Sequence, residues 1–66
     1  MNITEREREI IHLLSKGMSN KQIGQQLGIS HFTVRDHLSA VFKKLNITNR
    51  FELIVMKLTS TDEHPA

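Results

Sequence analysis

The stretch Ser19-Asn20-Lys21-Gln22-Ile23-Gly24-Gln25-Gln26-Leu27-Gly28-Ile29-Ser30-His31-Phe32-Thr33-Val34-Arg35-Asp36-His37-Leu38, continued by Val41 and Lys43-Lys44-Leu45, decides the fold of this chain. Ser19 with Gln22 three residues on is a capping box, in which each side chain accepts the other residue's backbone N–H. It opens a short helix whose Ile23 and Leu27 lie four apart and face one way. Gly28 supplies the left-handed residue that stops this helix, and Ser30 caps the next one. At about 100° per residue, Val34, Leu38, Val41 and Leu45 fall on a single stripe. Phe32, Asp36, Ser39 and Lys43 take the opposite side. Thr33, His37 and Lys44 line one flank, and Arg35 with Phe42 line the other. A short helix, a glycine turn and a longer helix with an apolar back and a polar front make a helix-turn-helix.

Outward from this unit the same signals repeat. Thr4 with Glu7 is a second capping box, so a first helix begins near Glu5. Ile10, Ile11, Leu13 and Leu14 give it a wide apolar face, and Gly17 sits just past its end. Asn46-Ile47-Thr48 breaks the third helix, and Asn49 with Glu52 starts a fourth. The fold class predicted is all-α, a four-helix bundle with helices at about 5–16, 20–27, 31–45 and 50–58. Residues 1–58 form the domain, and the polar, Pro65-containing stretch 59–66 is expected to be a disordered tail. Gly24 falls inside the second helix, where alanine is expected to stabilise by about 0.5–1 kcal/mol provided its Cβ fits against the third.

Sixty-six residues allow one small domain, and the absence of cysteine removes disulfide and thiolate–metal staples. Stability must come from an aliphatic core, since aromatic residues are only 5% of the chain, or from oligomerisation. No apolar run spans a bilayer and no signal-peptide pattern appears, so a cytoplasmic location without membrane contact is expected. The net charge is +2, but it is uneven. From Gly17 to Arg50 five bases (Lys21, Arg35, Lys43, Lys44, Arg50) face one acid, Asp36, while the rest of the chain has more acids than bases. Clustered positive charge on the helix-turn-helix suits a phosphate backbone. His12, His31, His37 and His64 have no metal-ligand spacing, and no activated nucleophile, phosphate-cradling loop or acid pair is evident. Neither a metal, another cofactor nor an enzyme activity is expected.

At these residues the chain resembles the LuxR-type (GerE- or FixJ-like) DNA-binding domain. The likeness is carried by Thr4-x-Arg6-Glu7-x-Glu9-Ile10-Ile11, Gly17, Ser19-Asn20-Lys21-x-Ile23, Leu27-x-Ile29-Ser30, Thr33-Val34-Arg35-x-His37-Leu38, Lys44-Leu45 and Arg50-x-Glu52. It runs from Ile3 to about Lys57. It implies a four-helix bundle that binds double-stranded DNA through helix 3 in the major groove and dimerises through helix 4. It also implies an output domain placed behind a receiver or ligand-sensing domain in a bacterial transcription regulator, with RNA polymerase as a further partner. Gly24 departs from the family's usual alanine, and Arg35 from its commoner lysine. Phe32 and Asp36 are peculiar to this chain, so the operator does not follow from the resemblance.

Given such a domain, Arg35 can fork onto guanine, Ser39 can donate or accept, Asp36 can accept from cytosine or repel phosphate, and Phe32 can touch a thymine methyl or pack over the turn. Asn20, Lys21, Thr33, His37, Lys43 and Lys44 are the expected phosphate contacts. On helix 4, Leu53 and Met56 lie opposite Phe51, Val55 and Leu58. One set completes the core and the other forms a dimer seam, for which the Phe51 side is preferred. The rival readings are a sigma-factor-like promoter-reading domain and a helical protein-interaction module.

Overall fold

The computed structural model describes residues 2–62, and the side chains of 58–62 are outside what is described. The helices are α1 (Glu5–Ser15), α2 (Asn20–Leu27), α3 (His31–Leu45) and α4 (Arg50–Asp62). Each of the first three starts where its cap demands. Thr4 Oγ1 accepts the Glu7 N–H at 3.1 Å while Glu7 Oε1 accepts the Thr4 N–H at 2.8 Å. Ser19 and Gln22 close the same reciprocal pair at 3.1 and 2.9 Å. At α4 the box is only half formed. Asn49 Oδ1 accepts the Glu52 N–H at 3.0 Å, but the Glu52 carboxylate reaches past Asn49 to the N–H and hydroxyl of Thr48.

α3 is the central element and packs on both α1 and α2, while α4 packs on α1. The core consists of Ile10 and Leu14 from α1, Ile23 from α2, Val34, Leu38 and Val41 from α3, and Leu53 from α4. Full burial of such a side chain is worth about 1.5–3 kcal/mol, so these seven residues carry the bundle. Leu45, expected on the same stripe, packs at the margin of this core. Leu53 resolves the two-sided appearance of α4. It is 3% exposed, whereas Phe51 is 73% and Val55 59% exposed. Met56, expected on the buried side with Leu53, is 40% exposed and stands at the edge.

Two expectations are corrected. Helix α4 continues to Asp62 instead of ending at Leu58, so residues 59–62 of the expected tail are helical, and 63–66 lie outside the described residues. Nothing between Thr59 and Asp62 forbids helix, and the first residue that does is Pro65. The second correction concerns Gly24. It is buried, and a Cβ built on it would lie 2.6 Å from the backbone carbonyl oxygen of Ile29 and 3.3 Å from the His31 nitrogen. The cause is the turn itself. Gly28, at φ 72°, is left-handed, and the N–H groups of Gly28 and Ile29 both donate to the Gly24 carbonyl. This folds Ile29 back over the Gly24 Cα, where a hydrogen fits and a methyl does not. Alanine is therefore unfavourable there.

Candidate nucleic-acid interface

The polar front of α3 is held from both ends. At its start, Ser30 Oγ accepts the Thr33 N–H at 3.1 Å and lies 3.0 Å from the Thr33 hydroxyl. Near its end, Lys44 Nζ donates to both carboxylate oxygens of Glu7 at 2.7 and 2.9 Å. The Glu7 side chain is 5% exposed and that of Lys44 27%. This pair binds the last turn of α3 to the first turn of α1, so the Lys44 ammonium is occupied inside the protein. The phosphate role expected of Lys44 would have to share its ammonium with this bridge. Removing one member of such a pair strands the other as an unmatched buried charge.

The Lys44 hydrogen bond, aided by the Thr4 N–H, holds the Glu7 carboxyl below its ordinary range. Above the unfolded-chain value, about 4.3, neither state carries the proton and the bridge contributes fully. As pH falls below that value the unfolded chain takes up the proton first, and the contribution is lost down through the lowered native value. Thermal melts followed by circular dichroism should therefore show Tm falling below about pH 4.3. Glu7→Gln should melt several degrees lower at pH 7 and show a shallower acid slope. An equal Tm and an equal slope in the variant would refute this role for Glu7.

Between these two anchors Phe32, Thr33, Arg35, Asp36, Ser39 and Lys43 are exposed, and His37 is half-buried. Phe32 is 59% exposed, with its ring centroid 4.2 Å from that of His31 and the Arg35 guanidinium 5.8 Å away. Among the described residues Arg35 has no ion pair with Asp36 and no hydrogen bond to Ser39. Lys21 is exposed in the first turn of α2. Asn20 beside it is half-buried, because Arg50 Nη1 donates to its Oδ1 at 3.4 Å and Arg50 Nη2 donates to the Met18 carbonyl at 2.9 Å. Arg50 thereby clamps the start of α2 to the start of α4. Sequence reasoning missed this positioning role, for which the motif Arg50-x-Glu52 was the only signal. Phe51 and Val55 line an open cleft with Ile47 and Met56 on the outer side of α4. The Leu58 side chain lies outside the described residues.

Among the described residues no three His, Asp or Glu side chains gather in a metal-holding group, and no helix is long and apolar enough to cross a membrane.

Residues 1–57 match the family described as bacterial regulatory proteins, luxR family. The chain is 46% identical over 52 residues to the monoamine regulon transcriptional regulator of Klebsiella aerogenes, covering 79% of this chain and 23% of that protein. It is 41% identical over 56 residues to the nitrate/nitrite response regulator protein NarP of Escherichia coli, covering 85% and 26%. Among solved structures, the response regulator ChrA of a heme-sensing two-component system superimposes with a TM-score of 0.83 at 34% identity, over 92% of this chain and 30% of that one. The chain thus spans about a quarter of the length of these relatives.

Proposed function

Since the chain belongs to the LuxR family of bacterial regulatory proteins, we propose that it regulates transcription by laying α3 in the major groove of a specific duplex site and pairing two copies through α4. Membership of this family makes it a DNA-binding regulator domain and not an enzyme, and it sets aside the sigma-factor and protein-module readings. The observation that carries the groove assignment is the row Arg35, Asp36, Ser39 and Lys43, exposed along one side of a helix whose other side is core. A helix that offers long polar side chains from its first turns, in a family of DNA-binding regulators, is built to reach base edges. Arg35 reads guanine, while Ser39 and Asp36 meet neighbouring bases. Lys21, Asn20, Thr33, His37 and Lys43 seat the phosphate backbone, with Asn20 also serving the Arg50 clamp. Residues 1–58 form the binding unit. It works in the cytoplasm, as the output part of a regulator with a receiver or ligand-sensing domain ahead of it, in contact with RNA polymerase.

Selection of bound sequences from random duplex DNA at a stated salt concentration tests this reading. The expected outcome is one enriched motif repeated with two-fold symmetry, bound with an affinity that falls steeply with salt. No enrichment and a flat salt dependence would overturn it. On the selected site, Lys21→Ala should weaken binding almost equally for specific and random duplexes and reduce the salt slope by about one unit. An unchanged slope would remove Lys21 from the phosphate set.

The α4 pairing rests on Phe51 and Val55, two large apolar side chains left outside the core, with Leu58 one turn further on. The patch is small, so pairing is weak in free solution and shows when two half-sites hold the copies together. Phe51→Glu and Val55→Glu should leave the circular dichroism spectrum unchanged. Each should weaken occupancy of a two-half-site duplex by about tenfold, through a charge in the seam, while sparing half-site binding. If both variants unfold, these residues belong to the core; if both retain full cooperativity, the seam lies elsewhere.

A further inference from the structure

We propose that Phe32 and Arg35 act as one reading unit for a base step in which a thymine adjoins a guanine, the Phe32 ring covering the thymine C5-methyl while Arg35 forks onto the guanine. The inference rests on the groove assignment above and adds what it leaves open, the base step read by the first two turns of α3. Phe32 is the second residue of α3 and is 59% exposed, an unusual place for a phenyl ring with no core to fill. Two side chains of its own helix lie close to it. The His31 ring leans on it at 4.2 Å with a 34° tilt, and the Arg35 guanidinium lies 5.8 Å from its centroid. A phenyl ring has only two side-chain torsions, so it has little freedom to lose on binding. Arg35, one helical turn on, is the only side chain of this row whose guanidinium can form two parallel hydrogen bonds to guanine O6 and N7.

The 5.8 Å between the ring centre and the guanidinium carbon exceeds the rise of one base pair, about 3.4 Å, and falls short of two. Groups at that spacing can meet adjacent base pairs when the line between them runs along the groove. Among the groups displayed in the major groove, the one suited to an apolar ring is the thymine methyl. Adenine, cytosine and guanine offer polar edges there, which the phenyl ring would desolvate without bonding.

The test uses the 66-residue chain and its selected duplex, with each thymine replaced in turn by deoxyuridine, which removes the methyl and nothing else. One replacement, at the thymine beside the Arg35-dependent guanine, should weaken wild-type binding about fourfold, the effect of uncovering one methyl-sized group. Phe32→Ala should bind the thymine and uracil duplexes equally. Phe32→Leu should keep the methyl sensitivity but discriminate less against the guanine-to-adenine change, since the ring under the guanidinium is gone. Equal wild-type affinity for all uracil duplexes, a selected site with no thymine beside that guanine, or methyl sensitivity retained in Phe32→Ala overturns this inference alone. Absence of any selected motif overturns the groove assignment with it.

Discussion

Gly24→Ala should lower the melting temperature of this domain, although a glycine in mid-helix ordinarily gains from the change. Two effects compete. Helix propensity favours alanine by about 0.5–1 kcal/mol, mainly through the lower entropy of the unfolded chain. Against it stands the Ile29 carbonyl oxygen, 2.6 Å from where the new Cβ would sit. That atom is backbone, and the Ile29 N–H is itself bonded to the Gly24 carbonyl at 2.9 Å, so it cannot swing aside without opening the turn. Overpacking of this kind costs about 1–3 kcal/mol. At 2.6 Å from a backbone atom the overpacking falls in the upper half of that range, so the net expected loss is about 1–2.5 kcal/mol, or roughly 4–20 °C in Tm for a domain of this size. Because Ile29 leads directly into α3, the variant should also weaken DNA binding at temperatures where it is still folded. A Tm equal to or above wild type in a thermal melt would show that the turn relaxes freely and that no close approach is needed.

Arg35→Ala should weaken binding to the selected site by about 1–3 kcal/mol, about five- to more than a hundredfold, and should flatten the preference at one base pair. The expectation follows from where the side chain stands. It is exposed on the second turn of α3, and among the described residues it makes no hydrogen bond or ion pair. Arg35→Lys separates charge from geometry. The ammonium keeps the positive charge but loses the planar fork, so non-specific binding should survive while discrimination for guanine falls. Binding to selected and random duplexes measured at the same salt distinguishes the outcomes. Equal losses on both in Arg35→Ala, with Arg35→Lys restoring them, would make Arg35 a phosphate contact and not a base reader.

What the sequence discloses and what it hides follows from the range of each interaction. The starts of α1, α2 and α3 are legible because a cap is a bond between residues three apart, visible in Thr4/Glu7, Ser19/Gln22 and Ser30/Thr33. The exposed row of α3 is legible because the helical period places Phe32, Asp36, Ser39 and Lys43 opposite Val34, Leu38 and Val41. The Lys44–Glu7 bridge is not legible because its partners are 37 positions apart, and no periodicity reports a separation of that kind. Gly24 was misread in sign because propensity describes an isolated helix, whereas the deciding contact comes from the turn that follows it. The end of α4 was set too early because polarity was read as disorder, though polar residues continue a helix well enough until a proline forbids it.

The two supports of α3 make it a beam fixed at both ends. Fifteen residues at about 1.5 Å each span roughly 22 Å, clamped at one end by the tight turn over Gly24 and at the other by the Lys44–Glu7 bridge to α1. If α3 enters the groove as proposed, its tilt, roll and axial setting are referred to these two supports, and a duplex would be matched against side chains presented from a braced helix. Selectivity would then depend on registration between two surfaces, and a change that loosens either support should broaden the range of sequences bound before it abolishes binding.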